Sequence, residues 1–137
     1  HPGGSLGRKL LTTVNDVMHT GDAIPRVYAN SKIHDVITEI SRKGFGTTLV
    51  VDRKDCIKGI ITDGDLRRLI ETKRDISSTK AMEIMNPNPK TIKKDNMATK
   101  AVQIMEEHSI TSLVVTDDKA HIEGIIHLHD LLKAGVV

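Results

Sequence analysis

Apolar and polar positions along this chain fall into an order of periods that occurs twice. First, Val14, Val17 and Met18 share one face of a short helical turn. Gly21–Pro25 breaks that turn, because proline has no N–H to donate and biases its predecessor toward extended backbone. Ile33, Val36, Ile37 and Ile40 then follow at the spacing of a single helix stripe. Thr48–Asp52 is rich in β-branched residues and predicts a buried strand, Asp52–Asp55 a polar turn, Ile57–Thr62 a returning strand, and a helix begins near Asp63. The second passage repeats this order. A turn at Met82–Met85 is broken by Asn86–Pro89, and a helix stripe follows at Met97, Ala101, Ile104 and Met105. Next come a strand at Ser112–Thr116, a turn at Asp117–Lys119, a strand at Ile122–His127 and a helix from about Leu128. Ser31 and Asp95 stand just ahead of the two long helices and suit N-caps. The unit is β-α-β-β-α, twice.

A repeat of this length predicts two similar lobes, residues 13–75 and 76–137, in a mixed α/β (α+β) fold. At 137 residues the lobes are too small to stand apart, so they are expected to share a core and pack with pseudo-two-fold symmetry around paired clefts. Such clefts suit binding better than catalysis.

Composition narrows the partners. The 38% of apolar residues are nearly all aliphatic, and Tyr28 and Phe45 are the only aromatics among Phe, Trp and Tyr. Without stacking platforms, single-stranded nucleic acid is a poor partner. The net charge of +2 comes from 20 basic and 18 acidic residues with no long basic run, so charge points to no polyanion. Cys56 is the only cysteine, which excludes an internal disulfide framework and a thiolate metal cluster. With neither a signal-peptide pattern nor an apolar run of spanning length, the expectation is a soluble cytoplasmic module with no membrane partner.

Candidate chemistry gathers where each second strand meets its final helix, at Gly59-Ile60-Ile61-Thr62-Asp63-Gly64-Asp65 and Gly124-Ile125-Ile126-His127-Leu128-His129-Asp130. Unpaired N–H groups and a hydroxyl at a helix start suit a phosphate, and a carboxylate three residues on can accept from a sugar diol. Simple capping explains Thr62 and Asp65 equally well. What favours a ligand is the recurrence of the Gly-x-x-(Thr/His)-x-x-Asp frame in both repeats. His127 and His129 form an H-x-H beside His121 and Asp130, but no set here has metal-ligand spacing, so no metal is expected. Cys56 lies in a turn with no activating base, Met82, Met85, Met97 and Met105 read as core fillers, and Arg67 and Arg68 as solvated or anion-facing.

The tandem pattern resembles a pair of CBS domains, small β-α-β-β-α modules that pair into regulatory units and often bind adenosyl or other nucleotides. The run His1-Pro2-Gly3-Gly4-Ser5 through Leu11, then Asp16-Val17-Met18-His19-Thr20-Gly21-Asp22 and Ile24-Pro25, is similar to the junction in D-arabinose 5-phosphate isomerases, where a sugar-isomerase (SIS) domain runs into a CBS pair. Thr62–Arg68 and the ending His127–Val137 resemble that family as well. The resemblance implies that residues 1–12 are the linker from the SIS domain, and that the chain is an inactive regulatory fragment needing no cofactor. The parent would interconvert D-ribulose 5-phosphate and D-arabinose 5-phosphate in the supply of Kdo, a sugar of lipopolysaccharide and some capsules. His1 would serve catalysis only within that parent, unless His1–Ser5 is a tag scar. Ile24, Pro25, Thr62, Asp65, Asn88, Pro89, His127 and Asp130 would hold a nucleotide or sugar nucleotide such as CMP-Kdo. Partners implied are the chain's own SIS domain and further copies in a homodimer or higher homo-oligomer. The alternative is a ligand-free oligomerisation scaffold held by Leu66, Leu69, Ile70, Leu131 and Leu132.

Overall fold

The computed structural model describes residues 2–72 and 75–137, with side chains from residue 6 onward, so the candidate His1 lies outside the described residues. The chain opens with helices α1 (Pro2–Leu11) and α2 (Val14–Val17). Strand β1 (Arg26–Tyr28), helix α3 (Ile33–Lys43), strands β2 (Thr47–Val51) and β3 (Ile57–Thr62) and helix α4 (Asp63–Glu71) form the first repeat. The second follows as α5 (Ala81–Ile84), β4 (Thr91–Ile92), α6 (Ala98–His108), β5 (Ser112–Thr116), β6 (Ile122–His127) and α7 (Leu128–Lys133). Among the described residues the strands make two three-stranded sheets, β1-β2-β3 and β4-β5-β6, each with a parallel first pair and an antiparallel second pair. The mixed α/β repeat pattern read from the sequence is therefore the one observed.

Two compact units emerge, and they do not follow the repeats. One is Asp22–Pro89; the other joins the chain up to Gly21 to Lys90–Val137. In the first unit Val27, Val36, Ile40, Val50 and Ile61 bury together with Ala81 of α5. In the second, Ala101, Met105, Leu113, Val115, Ile126 and Leu131 bury together with Val14 of α2. The apolar turn that opens the first repeat thus completes the core of the unit built on the second. Backbone bonds carry the chain there: Val14 N–H donates to Asn96 O (2.9 Å), Asn15 N–H to Lys94 O (3.0 Å), and Ala98 N–H to Thr12 O (2.8 Å). The other unit uses α5 in the same way, with Ala81 N–H donating to Ser31 O and Met82 N–H to Ala29 O, both at 2.9 Å.

Side-chain capping of the long helices departs from the sequence expectation. Neither Ser31 nor Asp95 is an N-cap: the caps are Lys32 and Met97, which make no side-chain capping bond. Ser31 Oγ instead accepts from Tyr28 N–H (2.9 Å), tying the β1–α3 turn. Isolated bridges, Lys32 with Lys80 and Thr13 with Met97, engage the backbone of the two cap residues observed. Of the apolar stripes, Ile33, Val36, Ile40, Ala101 and Met105 are buried while Ile37 is exposed; Met82, in the short turn before the second stripe, is also exposed and is not a core filler.

Candidate functional site

Both units place a reciprocal capping box at the junction of last strand and last helix. Thr62 N–H donates to Asp65 Oδ2 (2.9 Å), and Asp65 N–H donates to Thr62 Oγ1 (3.3 Å). In the other unit His127 N–H donates to Asp130 Oδ2 (2.9 Å), while the His127 Nδ1 accepts from His129 N–H (3.0 Å). Each box satisfies helix-start N–H groups that would otherwise lack partners. Capping is therefore real at both junctions, and it holds each carboxylate partly buried, with lone pairs to spare.

The strand register brings Ile24 and Pro25 to the end of the sheet that carries Thr62. Thr47 pairs with Thr62, and Arg26 with Leu49, so the chain ahead of β1 reaches the sheet end that carries Thr62. Ile24 is buried there, and its carbonyl accepts from Lys43 Nζ (3.3 Å) and Arg26 Nη1 (3.4 Å). Pro25 O accepts from Leu49 N–H (3.2 Å). Asn88 N–H closes back on Asn86 Oδ1 (3.0 Å), leaving Asn88 exposed and Pro89 half-buried immediately before β4. His127 and Asp130 belong to the other unit.

The two carboxylates differ in their partners. Asp65 Oδ1 is paired with Arg68 of its own helix, and these two line an open pocket of about 180 Å³ with Leu69, Thr72 and Ile84. Asp130 Oδ1 is instead met by His19 Nε2 at 2.8 Å. Sequence reading passed over His19; the signal available was its place directly after Met18, matching Asn86 after Met85. Burial is the main reason the His127 imidazole titrates below its ordinary range, with Asp130 opposing and His129 and His19 reinforcing the shift. An Nδ1 that accepts from a backbone N–H fits that neutral ring.

The glycines of the repeated frame have a packing cause. A Cβ on Gly59 would stand 2.6 Å from Met85 Sδ and 2.8 Å from Asn86 O, and one on Gly124 would stand 2.6 Å from Met18 Sδ and 2.9 Å from His19 O. These close approaches allow paired backbone bridges, Ile60 with Asn86 and Ile125 with His19, at 2.8–3.0 Å. Among the described residues no cluster of His, Cys, Asp or Glu is placed to hold a metal ion. None of their helices is long and apolar enough to cross a membrane.

The CBS domain family profile matches residues 14–72 and again 81–137. The chain is 44% identical over its full length to arabinose 5-phosphate isomerase KdsD of Escherichia coli strain K12, but spans only 42% of that relative. A solved structure of CBSX2 in complex with AMP superposes with a TM-score of 0.78 at 20% identity, covering 91% of this chain and 96% of that one. A CBS domain pair in complex with 5′-methylthioadenosine and S-adenosyl-L-methionine superposes at 0.80 with 21% identity, covering 89% and 94%.

Proposed function

This chain belongs to the CBS domain family as a tandem pair, and from that premise we propose that it is the ligand-sensing module of an arabinose 5-phosphate isomerase. The observation that carries the reading is the recurrence of one partly buried carboxylate, held by one type of capping box, at the same strand–helix junction of both units. A carboxylate fixed in this way accepts hydrogen bonds from a ribose or sugar diol without first having to be ordered. Relatives in fold solved with AMP, and with methylthioadenosine and S-adenosylmethionine, support a nucleotide as the ligand class. Similarity to the isomerase supports its catalytic domain as the partner, and the effector proposed is CMP-Kdo, the activated end product. His1 would then act in the parent's active site. Regulation of this kind requires the effector to bind the parent's two states unequally, since equal affinity shifts nothing.

The test is to assay the isomerase that contains this chain with and without CMP-Kdo, then again with Asp65→Ala and Asp130→Ala together. Inhibition by CMP-Kdo that the double substitution abolishes is the expected outcome. Inhibition that survives it would remove the two junctions from the effect. Exposed apolar side chains in each unit, Leu10, Leu11 and Leu132 in one and Ile70 in the other, each about half exposed or more, support the second reading, a ligand-free oligomerisation scaffold. That reading predicts no response to any nucleotide.

A further inference from the structure

His19 grips its unit with both backbone and side chain. Its N–H donates to Ile125 O (2.8 Å) and its carbonyl accepts from Ile125 N–H (3.0 Å), which fixes it to β6. Its Nε2 lies 2.8 Å from Asp130 Oδ1, which fixes it to α7. An ionised carboxylate can only accept, so Nε2 carries the hydrogen in this pair. Just before it, Met18 packs over Gly124, and Val14 sits buried in the core. The other unit repeats the backbone half of this arrangement and not the side-chain half. Asn86 makes the same bridge with Ile60, but its Oδ1 turns back to accept from Asn88 N–H (3.0 Å). Asp65 is meanwhile paired with Arg68, two-thirds exposed on the same helix.

We propose that His19 is a latch through which occupancy of Asp130 is transmitted to the arm Thr13–His19 and so to α1, whereas the Asp65 junction is held from within its own helix and leaves its arm undisturbed. The transmission rests on reading both junctions as ligand sites. Asp130 Oδ2 is already engaged by His127 N–H (2.9 Å). A ligand hydroxyl that takes the Oδ1 lone pair now facing His19 Nε2 displaces the ring, and the arm loses this bond to α7 while keeping the Ile125 bridge. Of two chemically similar sites, only one is wired to the segment leading toward the start of the chain. Equal ligands at the two junctions would have unequal consequences.

Amide hydrogen exchange at His19 and Ile125 reads the latch directly. His19→Asn, which copies Asn86, and Asp130→Asn should each speed exchange at both amides roughly three- to tenfold, as expected for loss of one partly exposed pair. The double variant should exchange no faster than either single one, and Asp65→Asn should leave both amides as in the parent sequence. If Asp130→Asn frays α7 by weakening its cap, His19→Asn leaves that cap in place and decides alone. Unchanged exchange in His19→Asn overturns the latch. Melting of the unsubstituted chain with AMP and with CMP-Kdo separates the two ideas. A nucleotide that raises the melting temperature, together with normal exchange in His19→Asn, keeps the ligand reading and removes the latch. No shift with either nucleotide, together with fast exchange in His19→Asn, removes the ligand reading and keeps the His19–Asp130 hold on the arm.

Discussion

Thr62 and His127 occupy the same capping position, but only one of them can titrate near neutral pH. The depressed His127 pKa means that the folded state binds its proton less readily than the unfolded chain. The sign then follows from linkage: the neutral ring contributes its full stability above the unfolded value of about 6.5, and that contribution is lost as pH falls below it, levelling off beneath the folded value. Protonation at Nδ1 would also remove the acceptor for His129 N–H. Replacing His127 with Thr, the residue of the sister junction, puts a capping oxygen in place of Nδ1. Melting temperatures taken between about pH 7 and pH 5 should fall less for His127→Thr than for the original chain. Parallel curves would mean that His127 does not titrate differently in the folded state.

At the scale of elements, the bridge between each arm and its sheet depends on a missing side chain. Backbone oxygens of Asn86 and His19 stand within 3 Å of where a Cβ on Gly59 or Gly124 would lie, and a backbone cannot swing aside as a long side chain can. Gly59→Ala and Gly124→Ala should each destabilise by about 1–3 kcal/mol, the usual cost of overpacking a tight site. Denaturant midpoints check this, and a midpoint equal to that of the original chain in either variant would mean the bridge tolerates displacement. Much at this scale was legible in the sequence. Strands Ile57–Thr62 and Ile122–His127 form with the expected bounds, because short apolar runs rich in Ile, bounded by polar turns, fix them locally. The helix caps were not legible. A Ser or Asp near a helix start is a good cap only if no backbone partner takes the place, and here the arms supply the bridges Lys32–Lys80 and Thr13–Met97. Periodicity states which face of Val14–Met18 is apolar; it does not state which core receives it.

For the molecule as a whole, repetition was readable and partnership was not. Two matched passages announced two matched units, yet each unit recruits its short opening helix from across the repeat boundary, where backbone bonds such as Val14 N–H to Asn96 O and Ala81 N–H to Ser31 O hold it. The candidate carboxylates were found because their frame recurs; His19 escaped because its role depends on the fold bringing residue 19 to residue 130. The central claim is that these junctions take a nucleotide, and titration calorimetry tests it most directly. CMP-Kdo and AMP would each be titrated into the original chain and into the variant carrying Asp65→Ala and Asp130→Ala, with folding confirmed by circular dichroism. The account predicts saturable binding of at least one of the two by the original chain. It also predicts a loss of roughly 5- to 150-fold in the double variant, the consequence of about 1–3 kcal/mol per hydrogen-bonded carboxylate. Binding of neither nucleotide, or equal binding by the double variant, would contradict it.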